Sequence, residues 1–357
     1  MVVEAARSDG ALTALLDELG AAWAELGGGR VPAHFGAAAE EHAALEGGLA
    51  LVPRPAAGLL EIAGEDRRRF LHGLVTCDVQ GLQPGGAIYC LLTSHQGRIL
   101  ADAAVLARPD ALWLELPPGR QEAIAAHLGK YVIADRVEIG GRGDRLPLTL
   151  VGAPAAAAAG VDSLAGEPWS SVEGEAYGVP VVADRRPLAG LPALTLWVAA
   201  PSAGELARRL LDAGRDGGLR PVGWEALEAA RVERGVPRWG RDYGEEHFPQ
   251  EAGLEEQAVS YTKGCYLGQE VIARIHYRGQ VNRVLRGVLV EGRGVPPEGS
   301  ELLYDGRPLG RLTSVVQAPC LGRVAGLAIV HRRGADPGTR VDIAGGGAGE
   351  ITALPFV

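Results

Sequence analysis

The stretch Lys263-Gly264-Cys265-Tyr266-Leu267-Gly268-Gln269-Glu270 holds the residue types best suited to chemistry in this chain. Cys265 lies two positions past Lys263, and Arg274, His276 and Arg278 follow it. Such a positive local field favours the thiolate, the form of cysteine that attacks electrophiles or binds metal. Gly264 and Gly268 would let the backbone pass close to a ligand. Gln269 offers a donor and an acceptor while Glu270 only accepts, a set that can read the edge of an amide-like heterocycle. Tyr261, Tyr266 and Tyr277 add aromatic faces. A free cysteine also often does no more than fill space in a core, and the cation run would equally suit the outer face of a strand. Local chemistry alone leaves both possibilities open.

The elements around this stretch are those of a globular chain. Of 357 residues, 47% are hydrophobic and 22% charged, enough apolar material for a sizeable core and two or three domains. The net charge of −9 disfavours a large nucleic-acid footprint, which needs a basic face. The start, MVVEAARSDG, has no basic segment followed by an apolar one, so no secretory signal is expected. No run approaches the ~18 apolar residues of a membrane helix, and a cytoplasmic location follows by default. Cys77, Cys90, Cys265 and Cys320 form no CxxC pair, which argues against a zinc finger, a disulfide scaffold and a single-chain iron–sulfur cluster. No metal ligand set is assigned.

Leu12, Leu15, Leu16, Leu19 and Trp23 share one helical face, so a helix is expected from Ala11 to Leu26, ended by Gly27 to Gly29. From Gly58 onward, β-like runs such as LLEIAG, GAIYCLLT and RILADAAVL alternate with helix-like ones. Ser202 and Glu205 have capping-box spacing ahead of a helix that Gly214 would end. The helix GWEALEAARVERG should stop at Gly235. After Gly279 the texture turns to strands, with YDGRP as a hairpin turn. The expected class is α+β, in four parts: a lead-in over 1–57, lobes over 58–145 and 146–280, and a small β-barrel over 281–357. GGGAGE near the C-terminus lacks the flanking strand and helix of a dinucleotide loop, and GxxxxGK[ST], HExxH and GxSxG are all absent.

The run YTKGCYLGQEVIARIHYRGQVNR resembles the defining motif of the YgfZ-type folate-binding proteins. These are iron–sulfur assembly factors related to the T-protein, the aminomethyltransferase of glycine cleavage. The likeness extends through ARVERGVPRWGRDYGEEHFPQEAGLE, GRLTSVVQAP and FLHGLVTCDVQGLQPGGAIYCLLTSHQGRILAD, covering most of the chain from Gly58. It implies a ring built of two related folate-binding α/β lobes and a C-terminal barrel, with tetrahydrofolate or a one-carbon derivative inside. It also implies that Cys265 is the functional thiol, and that Lys263, Tyr266, Gln269 and Glu270 lie at the folate site.

The chain departs from the T-protein at two acids. Where the enzyme has a pair, GRILAD places Ala101 and Asp102, so Asp102 alone survives; Thr195 falls where a pterin-holding glutamate is expected. Arg231 and Glu233 keep the spacing of the T-protein's R-x-E-x-G and are expected to contact folate. The resemblance thus implies a cytoplasmic tetrahydrofolate-binding accessory factor for iron–sulfur proteins, including radical enzymes that modify tRNA. Its partners would be folate and iron–sulfur clients or assembly proteins, with no membrane and no direct nucleic-acid binding. The alternative is an aminomethyltransferase-like one-carbon transferase; a third reading is an adaptor with a vestigial pocket.

Overall fold

Residues 10–292 and 294–357 are described by the structure, a computed structural model. The chain divides into two compact units: residues up to Cys90 with Asp102–Leu227, and Leu91–Ala101 with Glu228–Val357.

The first unit opens with a helix shorter than the sequence predicts. Helix Gly10–Glu18 buries Leu12, Leu15 and Leu16, as the leucine spacing requires. It then stops, because Gly20 takes φ +84. The Gly20 N–H bonds to Asp17 O and the Ala21 N–H to Leu16 O, the paired bonds of a Schellman ending. Trp23 therefore stands in strand Ala22–Leu26, which pairs with Gly29–His34. Gly27 and Gly28, at φ +57 and +78, form the two-residue turn between those strands rather than a helix end.

Two sheets carry the rest of this unit. One runs in the order Ser170–Ala176, Val179–Arg185, Ala193–Ala199, Arg145–Val151, Ala50–Pro53, Arg220–Pro221, antiparallel except for the last pair. Its core joins Leu148, Leu150, Leu196 and Val198 to Leu206 and Leu210 of helix Ala203–Gly214. That helix enters from a 3-10 turn, so Ser202 sits at φ −95, ψ −4 rather than extended, and its side chain makes no cap bond. The expected capping box does not form. The other sheet orders Ala87–Thr93, Ile99–Ala107, Ala111–Leu116, Gly58–Ala63 and Glu138–Gly141. Its first two strands carry the chain into residues 91–101 of the second unit and back.

The second unit takes over within helix Trp224–Glu233. This helix ends as expected: Gly235 at φ +64 bonds to Val232 O, and the Val236 N–H to Arg231 O. Strands Arg283–Val290, Arg323–His331, Arg307–Ala318, Glu301–Tyr304, Arg340–Ile343 and Ala348–Thr352 close into a six-stranded barrel. Val288, Leu302, Leu312, Val330 and Ile351 fill it. The YDGRP turn joins two barrel strands, with Asp305 at φ +51 and Gly306 at φ +69. Both signs suit a two-residue hairpin. The architecture is of the expected α+β class, with a C-terminal barrel.

Among the described residues, no helix is long and apolar enough to cross a membrane.

Candidate functional site

Residues 260–268 form an irregular loop that leads into helix Gln269–Arg278. Arg274, His276 and Arg278 thus lie on a helix and not on a strand. Gly268 precedes this helix in the left-handed region at φ +85. A Cβ there would meet Ser94 O at 2.4 Å and Gly97 Cα at 3.0 Å, so the glycine admits the turn at residues 94–97. The close approach belongs to backbone, not to a ligand. The Thr93 hydroxyl donates to Leu267 O at 2.7 Å, and Ile272 is buried beneath the helix.

Cys265 is a free, exposed thiol, so it does not fill space in a core. Its neighbour Tyr266 is buried, with the Lys263 ammonium 4.9 Å from the ring centroid. The Tyr266 hydroxyl is buried without a hydrogen-bond partner among the described residues. Burial, helped by the charge of Glu255, pushes its pKa up to about 12. Gln269 is half-buried and Glu270 exposed at the start of the helix.

Arg231 occupies a different place in the same unit. Its Nε and Nη2 donate to the two oxygens of Glu228 at 2.8 Å each, and Nη1 donates to Asp242 Oδ2 at 2.8 Å. Val236 O at 3.0 Å and Ser314 Oγ at 2.5 Å take the remaining donors. All five guanidinium N–H groups are spent on protein. Burial pushes the Glu228 carboxyl up, but the hydrogen bond and charge of Arg231 outweigh it and hold the carboxyl below its ordinary range. Glu233 is fully buried, and its carboxylate accepts the Cys320 N–H at 2.8 Å.

Asp102 lies in the first unit, on strand Ile99–Ala107. It is half-buried and accepts the Tyr89 hydroxyl at 3.0 Å, while Ala101 beside it is fully buried. Thr195 pairs across the sheet with Thr149, their hydroxyls 3.0 Å apart. Arg54 bonds to both hydroxyls and to Glu115. Glu115 also takes Arg186, which reaches Asp184; Asp184 accepts the Trp197 indole at 2.7 Å. Burial raises the Glu115 carboxyl, but the two guanidinium groups win and hold it at about 2. No local pattern marks this cluster in the sequence, because the partners of Arg54 lie 61, 95 and 141 positions away.

A cavity of about 610 Å³ opens in the second unit, between the loop holding Trp239, Arg241, Tyr243 and His247 and the barrel residues Arg283 and Arg311. Its size is that of a small-molecule site. His247 is buried there, and desolvation keeps its pKa below the ordinary imidazole value.

The GCVT N-terminal domain family matches residues 12–263, and the glycine cleavage T-protein C-terminal barrel domain matches residues 283–357. The chain belongs to the GCVT family. Among the relatives of this GCVT chain is the aminomethyltransferase of Shouchella clausii, 28% identical and covering 92% of this chain and 91% of that one. The aminomethyltransferase of Streptomyces avermitilis is 28% identical, with 97% and 96% covered. The crystal structure of glycine cleavage system aminomethyltransferase T from Bartonella henselae superposes with a TM-score of 0.88 over 97% of each chain. At 22% identity that likeness speaks for the GCVT fold alone.

Proposed function

We propose that this chain binds tetrahydrofolate and transfers the one-carbon unit it carries, in the manner of an aminomethyltransferase. Its membership of the GCVT family and the names of its near-full-length relatives support one-carbon transfer over iron–sulfur assembly. The observation that carries the reading is Asp102, a half-buried carboxylate held by the Tyr89 hydroxyl at 3.0 Å. Transfer at a folate nitrogen needs a placed group of this kind to handle the proton.

The second unit offers chemistry that fits the carrier. Trp239 and Tyr243 line the 610 Å³ cavity, and Arg311 supplies a cation for an anionic tail beside Arg241 and Arg283, which are paired with Glu298 and Glu251. The buried Tyr266 hydroxyl still has a hydrogen bond to give. Lys263, Gln269 and Glu270 remain proposed folate contacts. Arg231 and Glu233 are proposed to act by holding the helix that precedes the cavity loop, since the Arg231 donors are already spent. When bound, tetrahydrofolate supplies the nitrogen that accepts or releases the one-carbon unit.

Binding is read first, from thermal unfolding with and without tetrahydrofolate. Ligand at a hundred times its dissociation constant should add about 2.7 kcal/mol of stability. Turnover is read as methylene-tetrahydrofolate formation in a glycine-cleavage system lacking its own T-protein. Asp102→Asn should cut that rate by about 10²–10⁴-fold. Binding without turnover would remove the transferase reading.

One observation favours a second reading. Cys265 is exposed within KGCYLGQE, the motif of the YgfZ-type factors, and no step of aminomethyl transfer calls for an exposed thiol. On this reading the chain is a folate-binding accessory factor for iron–sulfur proteins. Cys265→Ser would then fail to rescue a strain lacking the factor, while Asp102→Asn would rescue it.

A further inference from the structure

A second cavity, of about 390 Å³, lies in the same unit at the C-terminal end of helix Gln269–Arg278. Gln250, Glu255, His276 and Arg332 line it, with Val281 and Val284 as an apolar wall. The polar groups are arranged with unusual economy around one carboxylate oxygen. Glu255 Oε1 accepts from the Tyr261 hydroxyl, lies 2.7 Å from His276 Nδ1 and takes the Gln250 amide at 3.2 Å. A carboxylate so placed fixes the histidine tautomer, with the proton on Nδ1. The Tyr261 ring stacks on the imidazole with centroids 3.9 Å apart and an angle of 19°, which holds its plane. Nε2 has no hydrogen-bond partner among the described residues, and the side chain is 38% exposed.

Two further groups in this cavity have unmet capacity. Gln250 donates to Glu255 and to Ile272 O at 3.2 Å each, and those two acceptors settle which end of the amide is nitrogen. Gln250 Oε1 is then a buried acceptor that no described donor reaches. Arg332 donates to Gln280 but pairs with no carboxylate among the described residues. Arg241 and Arg283, which line the larger cavity, each have a carboxylate partner.

We propose that His276, Arg332 and Gln250 form a binding site for a small carboxylate that carries a hydroxyl or amino group beside its acid. The carboxylate meets the guanidinium of Arg332, while His276, its Nδ1–H held by Glu255, offers Nε2 as a second acceptor beside Gln250 Oε1. The hydroxyl or amine donates to Gln250 Oε1, and the carbon skeleton rests on Val281 and Val284. An anion without a donor leaves Gln250 Oε1 unmet, and a cation meets Arg332 with like charge. The chemistry therefore selects on two groups at once.

Titration calorimetry on the full chain with L-lactate, L-alanine and propionate separates these contributions, since the three differ only in the group beside the acid. Lactate or alanine should bind about tenfold more tightly than propionate, the cost of leaving a buried acceptor unpaired. Arg332→Gln, a change at an exposed residue, should abolish the heat while leaving the thermal midpoint unchanged. His276→Phe should weaken alanine, whose ammonium can donate to Nε2 as well as to Gln250 Oε1, more than it weakens propionate, which carries no donor. Equal binding of lactate and propionate, no heat from any probe at tens of millimolar, or full binding by the Arg332→Gln variant would each overturn the proposal.

Discussion

Gly268 and Gly97 meet backbone to backbone: a Cβ on Gly268 would stand 3.0 Å from Gly97 Cα and 2.4 Å from Ser94 O. The second glycine of the KGCYLGQE stretch thereby seats its helix on the turn that precedes Arg98. That turn is itself fixed, with the Arg98 guanidinium 3.6 Å over the Phe248 ring and the Ile99 N–H bonded to His247 O. The motif and the hairpin 94–98 form one packed element.

Gly268→Ala should therefore cost more than a left-handed residue alone would. The φ of +85 penalises any L side chain by about 1–2 kcal/mol, and the contact with backbone adds to it. Gly306→Ala serves as the control, because its φ is +69 and nothing lies within 4 Å of its added Cβ. Denaturant midpoints should rank Gly268→Ala well below Gly306→Ala. Equal midpoints would refute the close packing.

Arg231→Ala should destabilise the chain by about 3–5 kcal/mol, the usual result of stripping one partner from a buried ion pair. It leaves Glu228 and Asp242 buried beside each other's neighbours without their shared cation. Arg231→Lys should recover little, since one ammonium cannot replace a fork with five bonds. A surface-like loss below ~0.5 kcal/mol would show that the guanidinium is not committed as described.

Glu115 predicts an acid limb of the stability curve. Its folded-state pKa of about 2 lies below the ordinary 4.5, so the carboxylate binds its proton more readily in the unfolded chain. Its contribution is complete above about pH 4.5 and is lost as pH falls toward 2. Urea midpoints measured across that window should fall steeply for the parent. Glu115→Gln should start lower and fall less over the same range. Parallel curves would remove Glu115 from the account.

The four cysteines should split in two under native alkylation. Cys265 and Cys320 are exposed, Cys77 and Cys90 buried, so peptide mass mapping should find label only on the first two. Cys265→Ser should shift stability by no more than ~0.5 kcal/mol, as exposed substitutions do. Label on Cys77 or Cys90 in folded protein would contradict the packing.

Local sequence determined those features whose causes are local. The turn at Asp305–Gly306 and the helix stop at Gly235 each need only positive φ within a few residues, which glycine supplies. The likeness to the T-protein was legible for a related reason: it rests on residue types at fixed spacing. Tertiary structure decided the rest, because several chain segments must meet before the outcome exists. Leu12 to Trp23 looked like one helix, yet Gly20 ended it and Trp23 joined a strand whose partner begins past Gly28. Ser202 had the cap residue's chemistry but not its backbone, since the 3-10 turn before it took the extended conformation away. The cation run 274–278 was equally consistent with strand or helix until Ile272 found its buried place beneath it. Arg231 matched a folate reader in spacing, and only Asp242 and Ser314, 11 and 83 positions on, show that its donors are spent within the protein. A guanidinium or an imidazole is chemically versatile by itself, and its partners are what fix its role. Those partners are brought to it by the fold.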